Sequence, residues 1–208
     1  MKLILPFVTP ELLINDELAI VGSSGRLTNS PVGRSVDSFK EVVRFNRAPT
    51  HGYETIAGSK TTLRITNNHV FDNLDISDRG FSHQPADFVS QLRNETILYY
   101  GPVLGPWDRR ETNAHSSNKL HMFMYEDISV FKRRLGVKFE DLMTGGGVAI
   151  GLCVLAGIRP TLFGFDLEPG PRTHYWETRP TDAGRYHNVS EEQLWILDLE
   201  SKSKITIK

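Results

Sequence analysis

Cysteine is almost absent: Cys153 is the only one in 208 residues. No intrachain disulfide can form, so the fold must stand on packing alone. That suits a reducing compartment, and a cytoplasmic location is expected. Excess charge of either sign is also missing, with 24 Lys and Arg against 25 Asp and Glu and a net charge of -1. A nucleic-acid binder wants a basic face and a lipid-seeking protein a basic cluster, so no nucleic-acid partner is expected. Long apolar runs are lacking too. The opening MKLILPFVTPELLIN is broken by Pro6 and Pro10 and is too short to span a bilayer. No signal peptide or transmembrane segment is read there, while peripheral membrane contact stays open. A dinucleotide fingerprint, G-x-G-x-x-G, is absent after the first apolar run, where the chain offers only Gly22-Ser23-Ser24-Gly25. That sets a dinucleotide-dependent oxidoreductase aside.

What is present fits one α/β domain over residues 1–208, with 39% apolar and 24% charged residues. Residues 1–16 read as a lead-in. Leu18, Ala19, Ile20 and Val21 form a short apolar run that stops at Gly22, as a buried parallel strand does when it ends in a turn whose amides can face an anion. A second run, Val42 to Phe45, stops at Asn46-Arg47-Ala48-Pro49. Asn46 is thereby expected at the carboxyl end of a neighbouring strand, the edge where open α/β sheets bind ligands. Further strands are expected over Thr61–Ile65, Thr96–Tyr100, Leu120–Met124 and Pro160–Phe165. Helices are expected over Arg34–Phe39, Asp87–Arg93, Glu126–Leu135 and Glu191–Leu199. Ser190 and Gln193 are read as a capping box for the last of these, with Leu194 and Leu197 on its shared apolar side. The whole reads as a Rossmann-like domain with a mainly parallel sheet flanked by helices.

A second organising block follows Thr144. Gly145-Gly146-Gly147 opens the apolar run Val148 to Ala156, expected as a buried helix ended by Gly157. Glycines feeding a helix start leave unpaired amides at the positive end of the dipole, an anion site. The same glycines would equally permit tight helix–sheet packing, and local pattern does not separate the two. Asp166 to Tyr186 is a long loop, expected to border the active site. For metals, the carboxylate pair Asp166/Glu168 carries some weight and Asp198/Glu200 reads as surface. His51, His69, His83, His115 and His121 show no partner spacing, and Lys132-Arg133-Arg134 reads as a solvated face.

These segments resemble the motifs of the animal-type sialyltransferase family. V-G-x-S-G, R-x-N-x-A-P-T and G-S-x-T-T, between Val21 and Thr62, resemble its large motif. MTGGGVAIGLCVLAGIRPTLFGFD resembles the small motif, His174-Tyr175-Trp176-Glu177 the third, and His187 with Glu192 the very small motif. The ordered set spans Leu18 to Glu192. Leu18 stands where the animal enzymes carry a bridged cysteine, and Ser23 and Met143 depart from the family's common residues.

The resemblance implies a glycosyltransferase A-like fold. It implies an inverting transfer of sialic acid from its cytidine monophosphate (CMP) ester to the hydroxyl of a glycan or glycolipid. Ser23, Ser24 and Asn46 would hold CMP, and Thr144, Gly145, Gly146 and Gly164 would meet the nucleotide or donor. His174 would meet the phosphate and His187 would be the catalytic base, with Tyr175, Glu177 and Glu192 in support. A CMP ester has one phosphate, which a histidine and amides can serve, so no metal or cofactor is expected. CMP-3-deoxy-octulosonate is the alternative donor, and a CMP-binding protein without transfer activity the alternative class.

Overall fold

The computed structural model describes residues 17–67, 92, 95–101, 119–124, 128–139, 143–167, 174–177 and 189–208. The expected lead-in, the helix over 87–93 apart from Leu92, most of the 166–186 loop, and His187 lie outside them.

Leu18–Val21, four apolar residues that are all buried, form β1. Glu41–Phe45 forms β2, Leu63–Asn67 β3, Thr96–Gly101 β4, Lys119–Met124 β5, Thr161–Phe163 β6 and Thr206–Ile207 β7. Among the described residues these make a seven-stranded sheet in the order β5-β4-β3-β2-β1-β6-β7. Every neighbouring pair is parallel, with Leu18 opposite Glu41, Ile20 opposite Leu162 and Arg44 opposite Arg64. The chain builds outward from β1 to β5, then returns to the other side of β1 with β6. That reversal makes a topological switch point between β1 and β6, with a crevice at their carboxyl ends.

Helices are α1 (Gly33–Asp37), α2 (Glu54–Ala57), α3 (Ile128–Leu135), α4 (Gly145–Ala156) and α5 (Val189–Ser201), with a 3-10 turn at Gly25–Thr28. One face of the sheet (Leu18, Ile20, Val43, Phe45, Leu63, Ile65, Leu98) packs on α3, α4 and α5 through Phe131, Val148, Ile150 and Ile196. Each such Leu, Ile or Phe contributes roughly 1.5–3 kcal/mol by leaving water. The other face (Ala19, Val21, Val42) meets Leu27, Val36, Ala57 and Tyr175.

The expected α/β architecture is the observed one, and several local expectations are corrected. α4 begins on the glycines themselves, because the Thr144 hydroxyl accepts from the Gly147 N–H at 3.0 Å and caps the helix there. Gly157, at φ +75°, closes it. α5 starts at Val189, so Ser190 lies inside it and no capping box forms; the Gln193 amide instead donates to the Asp166 carbonyl at 2.5 Å. Its buried side is Glu192, Gln193, Ile196 and Leu199, whereas Leu194 and Leu197 are exposed. Polar side chains with buried partners outcompeted the leucines for the inward face. α2 and β7 were not anticipated, being too short for periodicity to show. Lys132 is buried, its ammonium 5.1 Å from the centre of the Phe139 ring.

Candidate functional site

At the β1/β6 switch the two strand ends are drawn tightly together. The Gly22 N–H donates to the Phe163 carbonyl at 2.7 Å and the Ser24 N–H to the Gly164 carbonyl at 3.1 Å. A Cβ on Gly22 would fall 2.2 Å from the Gly164 oxygen, so only glycine allows this approach. Gly164 itself sits at φ +65°. The Ser24 hydroxyl donates to Asp166 Oδ1 at 2.5 Å and accepts the Arg26 N–H at 3.1 Å, while Arg26 Nε lies 3.4 Å from the same carboxylate. Ser24 is thus buried and held from within, whereas Ser23 is half-buried beside it. Asp166, the metal candidate, is engaged by Ser24 and Arg26; its partner Glu168 lies outside the described residues.

Asn46 ends β2 in the left-handed region, at φ +45°. Asparagine tolerates that conformation better than most residues. Its N–H donates to Ile65, and its side-chain oxygen accepts the Asn67 N–H at 3.0 Å. Among the described residues the side-chain N–H donors of Asn46 meet no acceptor. Beneath it the buried Arg64 donates to the Asn46 and Ala48 carbonyls, at 3.0 and 3.2 Å. Its other nitrogens form a fork on Glu95, at 2.7 and 3.2 Å. Arg44, fully buried on the same face, donates to the Lys60 and Ala57 carbonyls; burial holds its guanidinium below the ordinary arginine range. These two arginines fix the loops around Asn46. Their trace in the sequence is one charge inside each of two strands, Val43-Arg44-Phe45 and Leu63-Arg64-Ile65, a signal the periodicity reading passed over.

The start of α4 lies at the same rim. A Cβ on Gly145 would come 3.3 Å from Phe45, the last residue of β2, and one on Gly146 would come 2.9 Å from Phe165, just past β6. Glu192 of α5 occupies part of this helix start. Its buried carboxylate accepts the Thr144 N–H at 2.8 Å and also the Thr144 hydroxyl. The packing reading of the triple glycine holds at Gly147. Gly147 allows close packing against Glu192, while among the described residues the Gly145 and Gly146 N–H groups meet no acceptor.

The third-motif segment closes the group. His174 bridges Ser24 in an isolated antiparallel pair, and the Tyr175 N–H donates to the Ser23 carbonyl at 3.0 Å. The buried Tyr175 hydroxyl donates to the Pro49 carbonyl at 2.5 Å, tying this segment to the loop after Asn46. Burial pushes that phenol up to about 12 against the opposing pull of Arg44 and Arg64. His174 Nδ1 lies 2.7 Å from Glu177 Oε2, and its ring stacks on Trp176 at 4.4 Å between centres. The fold thus gathers Ser23, Ser24, Asn46, Gly145, Gly146, Gly164 and His174 at one sheet edge, with Thr144, Tyr175, Glu177 and Glu192 supporting them.

Residues 16–95, from β1 to the edge of β4, match the model of glycosyltransferase family 29 (sialyltransferase). A beta-galactoside alpha-2,6-sialyltransferase 2 of Xenopus tropicalis is 49% identical over 200 residues, which cover 86% of this chain. Over residues 16–95 the chain is similar to the sialyltransferase family. It spans 38% of that relative's length and 16% of the human protein of the same name. Fold comparison finds the same fold in two solved structures. The crystal structure of a mammalian sialyltransferase in complex with Gal-beta-1-3GalNAc-ortho-nitrophenol has a TM-score of 0.64 at 22% identity, covering 98% of this chain and 72% of that one. A Campylobacter jejuni sialyltransferase in complex with cytidine-5'-monophosphate gives 0.52 at 14% identity, covering 91% and 77%. Among the described residues no helix is long and apolar enough to cross a membrane.

Proposed function

We propose that the rim between β1 and β6 binds a CMP-sugar and that the chain transfers sialic acid from it to a sugar hydroxyl. The observation that carries this reading is the convergence of donors that meet no acceptor among the described residues, in a chain similar to this family. The Asn46 amide and the Gly145 and Gly146 N–H groups stand at the switch-point edge, with the His174 ring beside them. Such donors suit a nucleotide monophosphate, and they stabilise the charge that grows on the phosphate as it departs.

In the reaction the acceptor oxygen bonds to the anomeric carbon of the sugar as the bond from that carbon to the phosphate oxygen breaks. CMP leaves with the electron pair. One displacement through an oxocarbenium-like state inverts the centre and needs no enzyme nucleophile. His187 takes the hydroxyl proton as attack proceeds, help worth roughly two to four powers of ten in rate. A single phosphate is served by His174 and amides, so the step is written without a metal. The family relationship favours sialic acid over 3-deoxy-octulosonate as donor.

The test is transfer from CMP-sialic acid to a galactoside acceptor, followed by CMP release, with CMP-3-deoxy-octulosonate as competitor. His187→Ala should lower turnover about a hundredfold or more with little change in CMP affinity, and His174→Ala should weaken both. A parent-like rate in the His187 variant removes the assigned base. Absence of transfer from either donor removes the proposed activity.

A further inference from the structure

His174 is held in a particular way, and that way decides what it can do at a phosphate. Its Nδ1 faces the Glu177 carboxylate at 2.7 Å, and both side chains are mostly buried, with relative exposures of 23% and 13%. A carboxylate only accepts, so Nδ1 carries a proton in every state that keeps this contact. The other ring nitrogen, Nε2, meets no partner among the described residues. In the neutral ring Nε2 is a bare acceptor, which would face a phosphate oxygen lone pair to lone pair. In the doubly protonated ring it is a charged donor. The Trp176 indole lies parallel to the imidazole, 5° between planes, and an aromatic face favours a cation above it.

We propose that Glu177 is the positioning residue for His174. It fixes the proton on Nδ1, turns Nε2 toward the nucleotide, and supports the doubly protonated ring that alone can donate to the phosphate. This rests on the reading of the rim as a CMP site. Other charged groups stand near the ring. Asp166 and Arg26 reach it through Ser24, on the loop that bridges His174, and are paired with each other. Arg44 and Arg64 lie beneath Tyr175, on the sheet side. Among the described residues Glu177 is the one whose carboxylate touches the ring. A consequence follows for pH. The grip on CMP weakens as the ring loses its second proton, so affinity falls as pH rises.

Two variants separate charge from geometry. In Glu177→Gln the side-chain oxygen still accepts from Nδ1 but the opposite charge is gone. The fall of CMP affinity with rising pH should then begin at lower pH than in the parent, since the opposite charge that favours the protonated ring is gone. Titration of the CMP phosphate itself is common to both proteins and cancels. In Glu177→Ala the acceptor is lost. Nitrogen-15 NMR of the unliganded protein at high pH should then show the neutral ring shifting from the Nδ1–H toward the Nε2–H tautomer, and Glu177→Gln should restore the parent tautomer. Coincident pH profiles for parent and Glu177→Gln overturn the proposal, as does an Nε2–H tautomer in the parent. Failure of the parent to bind CMP at any pH overturns the functional reading and this inference with it. The tautomer measurement, made without nucleotide, tells the two failures apart.

Discussion

Gly147 and Glu192 should show a reversal of sign. Replacing glycine by alanine inside a helix ordinarily stabilises by up to about 1 kcal/mol. At position 147 the new methyl would meet Glu192 Oε2 at 2.5 Å and its carboxyl carbon at 2.7 Å. A carboxylate at the end of a flexible side chain could swing aside, but here it holds the Thr144 N–H and hydroxyl at the start of α4. Losing one hydrogen bond to a charged acceptor costs about 1.5–3 kcal/mol. Set against the helix gain, Gly147→Ala should destabilise the parent by about 1–2 kcal/mol, or about 2–8 °C in Tm for a chain of this size. In a Glu192→Ala background the obstruction is gone. The same Gly147→Ala change should then stabilise by up to about 1 kcal/mol, raising Tm by about 2–4 °C. Urea unfolding of the four proteins gives the coupling directly. A Gly147→Ala effect of equal sign and size in both backgrounds would refute the contact and the capping role of Glu192.

Three further outcomes follow from Cys153, Asp37 and Tyr175. Burial pushes the Cys153 thiol up to about 12, so iodoacetamide should leave the native chain unlabelled and react only once it is unfolded. Burial pushes the Asp37 carboxyl up, but hydrogen bonds from the Lys60 and Ser59 N–H groups and the Ser59 hydroxyl outweigh it and hold it below its ordinary value. A depressed folded value contributes stability above the unfolded range near 3.9 and loses it as pH falls through the folded value. The stability gap between parent and Asp37→Asn should therefore be present at neutral pH and close at strongly acid pH; a gap independent of pH contradicts this. Tyr175→Phe leaves the Pro49 carbonyl without its donor, and thermal unfolding should register about 1–3 kcal/mol of lost stability.

The central strands were legible because little competes with a short apolar run: Leu18–Val21 is wholly apolar, Val42–Phe45 is apolar but for Arg44, and glycine or asparagine stops them. Asn46 was legible for the same reason, since strand ends in parallel sheets are also ligand edges. Arg44, Arg64 and Glu95 were not, because a buried charge is decided by partners distant in sequence, and Glu95 is 31 residues from Arg64. The misread face of α5 has the same origin. Leu194 and Leu197 have the helical spacing, yet Glu192 and Gln193 point inward because Thr144 and Asp166 wait there. Whether the triple glycine served packing or anion binding could not be read locally either, since the answer depends on a carboxylate 48 residues away.

The most direct test of the central claim is a titration of the isotopically labelled chain with CMP, followed by backbone and side-chain amide NMR. The account predicts saturable shifts gathered at Ser24, Asn46, Gly145, Gly146 and His174, with the Asn46 side-chain amide among the largest. Shifts confined to the β5 edge or the exposed side of α5, or no shifts at all, would contradict it.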